Sequence, residues 1–324
     1  MLACILNKQT NRRSFRLFKL EPNAIFRYQY YEVMHEHLIH VSNLLLPGDI
    51  NLNLKFNIVP GDGTSNGTEL ISFKRPSLYE FITQQEQKAV SSHYSIISLV
   101  PMLLEIGQRS RVLECGTGAG SMTMFLSERI GHAGHLDTFD VIEAKEKGAL
   151  AKFNEWKSSF DLAANSELDK WPANVKFGTL NFVEHKFEQQ AAYDAIYLDM
   201  IDMDRALWNA YQLLRHDGIL VLNSMHLTQL IKCLNVIERN RKSLGLSLEI
   251  VIEPSNRLWE MRRIGRGSSS SKADEDAATT TNNNSSLDLN WTCRLEDRFA
   301  EKKKRGGLFF NYWQGYLAKF RKIF

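Results

Sequence analysis

Apolar runs typical of strands alternate with segments of helical periodicity along residues 79–264, and no other feature restricts the fold of this chain as strongly. The strand-like runs lie at 111–115, 135–141, 174–180, 193–200, 218–225 and 247–253. The segments between them place apolar residues every three or four positions, as helices packed on one face do. Repeated alternation of this kind predicts an α/β fold, in which helices cover both faces of a mostly parallel sheet.

Two further elements are predicted at the ends of this region. A helix before the first strand follows from the spacing of six apolar residues, and Gly107 is expected to end it. Those residues are Ile96, Leu99, Val100, Leu103, Leu104 and Ile106. The C-terminal stretch LFFNYWQGYLAKFRKIF alternates apolar and polar residues and is predicted to return to the sheet as a strand.

The rest of the chain divides into three regions of different composition. Residues 41–78 contain short apolar alternations between turns rich in Gly and Asp, which predict a small β domain. Residues 79–324 form the main domain, and a disordered insertion is placed at 265–307. Its first part, GRGSSSSKADEDAATTTNNNSSLDLN, has too few apolar residues to form a core.

Residues 1–40 form a basic N-terminal segment with no acid before Glu21. Its first twenty residues carry five positive charges, at Lys8, Arg12, Arg13, Arg16 and Lys19. This composition is typical of a mitochondrial transit region and favours location in the matrix over the nucleus or cytoplasm. A basic disordered N-terminus without a targeting role is the alternative.

Bulk properties exclude several classes of protein. A net charge of +3 implies no global attraction to polyanions, so contact with nucleic acid must depend on local patches. The four cysteines are far apart in sequence, which argues against a disulfide scaffold or a zinc site. The spacing of His35, His37 and His40 does not fit a metal motif, and no metal is expected. No apolar run reaches the roughly 18 residues of a membrane span, so no membrane contact is expected.

The stretch RVLECGTGAGSM, at residues 111–122, predicts a ligand-binding loop after the first main strand. Gly116, Gly118 and Gly120 allow a tight turn whose backbone approaches a ligand closely. A dinucleotide fingerprint requires glycine at position 121, where this chain has Ser121. Glu114 would repel a pyrophosphate but can hold an ammonium or sulfonium group, which favours S-adenosylmethionine over NAD.

Other strand ends carry side chains suited to the same ligand. Asp140 closes the next strand, where a carboxylate accepts from ribose hydroxyls. Asn181 follows the third strand and is expected to accept from the adenine amino group, with Phe182 as a wall for the ring. Asp199 ends the fourth strand at the mouth of the cleft.

With these residues assembled, the chain resembles the catalytic subunits of the tRNA (adenine-N1) methyltransferases, which modify adenine 58 in the T-loop, and is most similar to their animal mitochondrial form. The stretches that carry the resemblance include VLECGTGAGSMTMFLSERIG, FNEWKSSF, DAIYLDM, LTQLIKCLNVIERNR and YWQGYLAKFRK. It implies a class I S-adenosylmethionine-dependent methyltransferase with a Rossmann-like seven-stranded sheet and a small N-terminal β domain. It also implies a tRNA substrate and a homotetramer or a related non-catalytic subunit as partner.

The resemblance assigns roles to individual residues. It implies that Ala119, Gly120, Ser121 and Met122 surround the methionine part of the cofactor, with Glu114, Gly116 and Gly118 in the same loop. Asp140 corresponds to the acid that binds ribose, and Lys145 lies near it. Asn181 and Phe182 correspond to the pair on the adenine side, and Asp199 to the catalytic acid, which also borders the cofactor.

Two segments depart from the family pattern, and they keep other functions open. The stretch after Asp199 reads LDMIDMDRALW without the usual prolines, and the segment at 87–96 lacks the usual acid before the first helix. The leading hypothesis is methylation of adenine N1 in mitochondrial tRNA. A non-catalytic tRNA-binding or scaffold subunit is one alternative, and a methyltransferase acting on another RNA or a protein is the other.

Overall fold

The computed structural model describes residues 76–82, 95–161, 164, 166–254 and 315–324 with their side chains. For several shorter segments it describes the backbone alone: 2–7, 12–17, 25–28, 31–34, 54–56, 69–74, 83–84, 94, 259–263 and 291–295. Residues 1–254 together with 314–324 form one compact unit, and residues 255–313 form a second.

Fifteen strands and six α-helices are present among the described residues. The strands are β1 (Leu2–Asn7), β2 (Arg12–Leu17), β3 (Ile25–Tyr28), β4 (Tyr31–Met34), β5 (Leu54–Phe56), β6 (Glu69–Lys74), β7 (Arg111–Cys115), β8 (His135–Asp140), β9 (Val175–Thr179), β10 (Tyr193–Leu198), β11 (Leu214–Ser224), β12 (Leu246–Ile252), β13 (Trp259–Arg263), β14 (Trp291–Leu295) and β15 (Tyr316–Lys322). The helices are α1 (Leu78–Gln84), α2 (Tyr94–Leu103), α3 (Ser121–Ile130), α4 (Glu143–Asp161), α5 (Met203–Leu213) and α6 (Leu227–Arg239).

The main sheet has seven strands in the order β12-β15-β11-β10-β7-β8-β9. Strands β7 to β11 are parallel, and β15 runs antiparallel between β11 and β12. The chain returns after the insertion to fill the gap between β11 and β12. The predicted α/β sheet, the six main strands and the returning C-terminal strand are therefore confirmed.

Apolar side chains on alternate positions of the strands form a core on each face of the sheet. Along β10, Ile196 and Leu198 pack with the apolar faces of α5 and α6, while Ala195 and Tyr197 pack with α2 and α3 on the opposite face. Because both faces are covered, β10 carries an unbroken buried run from Ala195 to Leu198 rather than an alternation with polar residues. The carboxyl ends of β7, β8, β10 and β11 then meet at one edge.

The boundaries of two helices show how local chemistry ends or starts an element. Helix α2 ends at Leu103, before the predicted stop at Gly107, because Glu105 adopts the left-handed conformation with φ +55°. Helix α1 begins with a reciprocal cap: the Ser77 amide donates to Glu80 Oε2 at 3.0 Å, and the Glu80 amide donates to Ser77 Oγ at 3.2 Å.

The predicted boundary at residue 40 does not separate two structural regions. Strands β1 and β2 belong to a four-stranded sheet in the order β2-β1-β6-β5, with β1 antiparallel to β6 from Leu2↔Lys74 to Asn7↔Glu69. The basic N-terminal segment thus contributes strands to the small β domain that was expected to begin at residue 41. Sequence periodicity missed this pairing because its two halves are more than sixty residues apart.

The second unit contains a two-stranded antiparallel ribbon formed by β13 and β14. Strand β14 lies within the insertion predicted to be disordered at 265–307, so that prediction was wrong for Trp291–Leu295. Its aromatic and β-branched residues favour a strand, and β13 supplies the pairing partner. In the described part of the chain, no helix is both long and apolar enough to cross a membrane.

Candidate active site

The glycine loop after β7 is built by close contacts with neighbouring elements. The Asp199 amide donates to the Cys115 carbonyl at 2.8 Å, which draws the end of β10 against the loop. Gly116 has φ +100°, and a Cβ atom there would lie 2.0 Å from the Asp199 carbonyl oxygen. Gly120 has φ +73°, and a Cβ there would lie 2.9 Å from the Cβ of Ala149 on α4. Two of the three glycines are therefore required by contacts within the protein.

An open pocket lies between this loop and the end of β10. It is lined by Glu114, Gly116, Thr117, Gly118, Ala119, Ser121, Met122 and Asp199. The structure thus brings together seven of the twelve residues predicted for the site. Gly120 belongs to the same loop but packs on α4 instead of facing the pocket.

Glu114 is the polar group in this pocket with the most unusual surroundings. It is 0% exposed, and its Oε2 accepts hydrogen bonds from the hydroxyls of Thr123 at 2.6 Å and Thr138 at 2.8 Å. The Thr117 hydroxyl lies 2.7 Å from that of Thr138 and completes a chain of hydroxyls. Its Oε1 has no hydrogen-bond partner among the described residues. Burial raises the pKa of this carboxyl to about 8.

Two features of the pocket lining suit the two charges of an amino-acid ligand. The unpaired Oε1 of Glu114 is suited to accept from an ammonium group, because a buried carboxylate is strongly stabilised by a cation. Helix α3 begins at Ser121, and the backbone N–H groups of its first turn are suited to a carboxylate. The methionine part of S-adenosylmethionine carries both groups, so the residues present fit this cofactor.

Asp140 lies beside the loop and accepts one backbone hydrogen bond on each carboxylate oxygen. Its Oδ2 accepts from the Gly118 amide at 3.0 Å and its Oδ1 from the Ile142 amide at 2.9 Å. The side chain is buried and holds the loop in place, while the remaining lone pairs stay available to ribose hydroxyls. Lys145, on α4, is exposed and acts electrostatically on Asp199.

The pair predicted for the adenine side is not placed at the pocket. Asn181 is exposed, and its Oδ1 accepts from the Val183 amide at 3.1 Å as the cap of a turn. Phe182 is only 1% exposed and packs in the core against Phe187, with ring centroids 5.3 Å apart. The expectation that Phe182 forms a wall for adenine is not met, because its side chain points into the core.

Asp199 is surrounded by groups that act on its charge in opposite directions. Burial raises the pKa of this carboxyl, while hydrogen bonds from Asn223 and Tyr197 and the charge of Lys145 lower it. The Tyr197 hydroxyl donates to Asp199 Oδ2 at 3.3 Å. This arrangement provides a partly exposed carboxylate at the mouth of the pocket.

Sequence reasoning missed the threonines around Glu114 and the Tyr197–Asn223 pair beside Asp199. The sequence does contain a signal for Tyr197 and for Asn223. Tyr197 stands two positions before Asp199 on one strand, and Asn223 is a polar residue within the apolar run ILVLNS. The three histidines at 35–40 and most of the altered segment at 87–96 lie outside the described residues.

Known proteins resemble this chain in sequence and in fold. The family model for the tRNA methyltransferase complex GCD14 subunit matches residues 83–305. The tRNA (adenine(58)-N(1))-methyltransferase TrmI of Thermus thermophilus is 27% identical over 259 residues, which cover 80% of this chain and 88% of that protein. The catalytic subunit trm61 of the corresponding enzyme in Schizosaccharomyces pombe is 32% identical over 104 residues, or 32% of this chain and 26% of that protein.

Two solved structures share the fold. The tRNA (m1A58) methyltransferase TrmI from Aquifex aeolicus has a TM-score of 0.60 at 19% identity, covering 99% of this chain and 96% of that chain. A SAM-dependent O-methyltransferase from Thermotoga maritima has a TM-score of 0.65 at 14% identity, covering 100% and 93%. These likenesses establish the class I methyltransferase fold, and the family match extends over more than half of the chain. The chain belongs to the family of the tRNA methyltransferase complex GCD14 subunit.

Proposed function

We propose that this protein methylates N1 of adenine 58 in the T-loop of tRNA, with S-adenosylmethionine as the methyl donor. The observation that carries the proposal is that one pocket contains two carboxyl groups with different surroundings. Glu114 is buried and its Oε1 has no hydrogen-bond partner among the described residues, while Asp199 lies at the mouth. Glu114 and the first turn of α3 suit the two charges of the methionine part, and Asp199 borders the place where the target base would enter. Family membership supports the same activity.

The chemistry asks little of the protein beyond position and charge. Adenine N1 has a lone pair in the plane of the ring and needs no strong base to attack a methyl group. S-adenosylmethionine, when bound, supplies that methyl group on a positively charged sulfur. Asp199 accepts a hydrogen bond from the exocyclic amine of the adenine and opposes the positive charge that the ring gains. The base must first leave its stack, at a cost of a few kcal/mol.

The direct test is Asp199→Ala. Because the carboxylate acts on charge that develops only in the transition state, methyl transfer to unmodified tRNA should fall about 100- to 1,000-fold or more. Cofactor binding by calorimetry should remain, since Glu114 and the glycine loop are unchanged. Asp217→Ala removes an exposed carboxylate at the far end of β11 and serves as the matched control. Undiminished turnover by the Asp199 variant would contradict the mechanism.

A second candidate function is a non-catalytic tRNA-binding subunit. The stretch LDMIDMD favours this second function. The family that the chain resembles usually has prolines after the catalytic acid, whereas here a short turn at 200–202 runs directly into α5. Calorimetry separates the candidates, since a scaffold has no need to bind S-adenosylmethionine. A methyltransferase for another RNA or a protein would bind the cofactor but leave tRNA unmethylated.

We also propose that the protein acts in the mitochondrial matrix, on the basis of its basic, acid-free N-terminus. Removal of that segment would take β1 away from β6, so we expect the first strand to remain in the mature protein. Cell fractionation tests the location, and N-terminal sequencing of the mature protein tests retention of the strand. Recovery only from the cytosol would contradict the location.

For assembly, we propose a homotetramer or a complex with a related non-catalytic subunit. The support is that relatives are named catalytic subunits, which implies a second kind of subunit in those complexes. Light scattering coupled to size exclusion, with the chain alone and after co-purification from its own cells, distinguishes the two assemblies.

A further inference from the structure

Three buried threonines surround one oxygen of the Glu114 carboxyl group, and we call Thr117, Thr123 and Thr138 the threonine cluster. Thr123 donates to Glu114 Oε2 at 2.6 Å, and Thr138 donates to the same oxygen at 2.8 Å. The Thr117 hydroxyl lies 2.7 Å from that of Thr138. The other oxygen, Oε1, has no hydrogen-bond partner among the residues that the structure describes. The two oxygens of this buried carboxyl group therefore have opposite surroundings.

The number of hydroxyl protons fixes the direction of these hydrogen bonds when Glu114 is ionised. A carboxylate only accepts, so Thr123 and Thr138 each donate their single proton to Oε2. Thr138 then has only lone pairs left, which makes Thr117 the donor in the contact between the two hydroxyls. All three protons are directed along the chain towards Oε2, and none of them is left for Oε1.

The backbone holds these hydroxyls in place from three different elements. Glu114 and Thr138 are direct partners in the parallel register of β7 and β8. The Thr117 amide donates to the Phe139 carbonyl at 3.2 Å, which ties the glycine loop to β8. Thr123 lies in the first turn of α3. Strand, loop and helix each supply one hydroxyl, so the packed fold fixes the orientation of the carboxyl group.

The threonine hydroxyls also favour the ionised form of this carboxyl group. Burial and the charges of Asp199 and Asp140 raise the pKa of Glu114, while the hydrogen bonds from Thr123 and Thr138 lower it. A buried acceptor without a partner destabilises a protein, and a charged one does so more strongly. A cation that donates to Oε1 removes that cost, and the carboxylate faces the pocket from which such a ligand would come.

We propose that the residues of the threonine cluster are positioning residues for the cofactor: they engage Oε2 and thereby hold Oε1 of Glu114 for the ammonium group of S-adenosylmethionine. They make the pocket selective for a ligand with an ammonium group over one of the same shape without it. The inference rests on the proposed function, in which S-adenosylmethionine is the methyl donor. It assigns the selectivity for the amino group to hydroxyls that act through Glu114.

The test compares two ligands that differ in a single group. S-adenosylhomocysteine carries the ammonium group, and its deamino analogue has hydrogen in that place. In calorimetry the wild-type protein should bind S-adenosylhomocysteine about 10- to 100-fold more tightly than the analogue. Thr138→Val keeps the shape of the side chain but loses the hydroxyl, so affinity for S-adenosylhomocysteine should fall about tenfold and affinity for the analogue less than about twofold. Thr138→Ser, which keeps the hydroxyl, should recover most of the lost affinity.

Ser127 supplies a matched control on α3, the helix that also carries Thr123. It is fully buried, but its hydroxyl donates to Asn174 Oδ1 at 2.7 Å and not to the Glu114 carboxyl group. Ser127→Ala should lower the melting temperature and leave both dissociation constants unchanged. Equal losses for the two ligands in Thr138→Val, or equal affinities of the wild-type protein for both ligands, would overturn the inference.

A second variant keeps the inference testable if Thr138→Val fails to fold. Thr117→Val removes the outermost hydroxyl of the chain, and affinity for S-adenosylhomocysteine should fall about three- to tenfold while affinity for the analogue stays the same. These measurements need no tRNA. The expected selectivity in a protein that methylates no tRNA would support the inference and contradict only the proposed function. Methylation of tRNA without that selectivity would contradict only the role of the threonine cluster.

Discussion

Replacement of Glu114 by glutamine offers the sharpest quantitative prediction. The carboxyl group is 0% exposed, with one oxygen held by two threonine hydroxyls and the other without a partner in the described structure. Burial raises its pKa from the ordinary 4.5 to about 8. Between these values the unfolded chain has lost the proton that the folded chain keeps. The free energy of unfolding must therefore fall as pH rises from 4.5 towards 8.

The size of the effect follows from the shift. One pKa unit corresponds to about 1.4 kcal/mol, so relative to low pH the free energy of unfolding of the ligand-free protein is lowered by about 3 kcal/mol at pH 7 and by about 5 kcal/mol above pH 8. Glutamine is neutral at every pH and has a similar shape. Glu114→Gln should match the wild-type protein at the lowest pH and exceed its stability progressively up to these amounts.

Urea unfolding followed by tryptophan fluorescence at pH 5, 6, 7 and 8 measures this difference. Glu143→Gln is the matched control, because Glu143 is exposed and its pKa lies below the ordinary value, so its ionisation does not lower the free energy of unfolding as the pH rises. A difference between Glu114→Gln and the wild type that stays constant across these pH values would refute the reasoning. It would mean that Glu114 is already ionised in the folded protein at the lowest pH.

The same substitution should impair cofactor binding. Near neutral pH the wild-type carboxyl is mostly protonated, so pairing with the ammonium group of S-adenosylmethionine should release close to one proton. Calorimetry in buffers of different ionisation enthalpy counts that proton. Glu114→Gln should bind more weakly and release none. Equal proton release by both proteins would assign the titration to another group.

Two further predictions concern the loop and the core. Gly116→Ala should destabilise the protein by more than about 3 kcal/mol and abolish cofactor binding, because the new Cβ would meet the Asp199 carbonyl at 2.0 Å. In Gly118→Ala the new Cβ would meet nothing closer than 3.8 Å, so the free energy of unfolding should fall by only about 1–2 kcal/mol, the cost of a left-handed backbone conformation. Equal melting temperatures for the two variants would contradict this account. Phe182→Leu should lower the free energy of unfolding by about 1–2 kcal/mol without changing the dissociation constant of S-adenosylmethionine, because Phe182 packs in the core. A tenfold weaker dissociation constant in that variant would return Phe182 to the cofactor site.

Elements whose signal is local were predicted well. The six main strands match their predicted positions closely, because each combines an apolar run with turn residues at its ends. Glu114 and Asp199 reach the same pocket because parallel strands β7 and β10 are neighbours and end at the same edge. Predictions that required a side-chain direction fared worse. Phe182 follows a strand end as expected, yet its ring turns into the core and not towards the pocket.

Sequence by itself determined the α/β class, the glycine loop and the carboxylates at the strand ends, since periodicity and strand ends can be recognised from neighbouring residues alone. Only the tertiary structure decided which groups act on those carboxylates. Thr138, for example, comes from β8 and donates to Glu114 on the neighbouring strand β7 through the packing of the sheet. The pairing of β1 with β6 was decided in the same way. Contacts between residues that are distant in sequence produce no periodic pattern along the chain, so they cannot be recognised from the sequence. The ionisation of the carboxyl groups depends on such contacts and is therefore a property of the folded sheet.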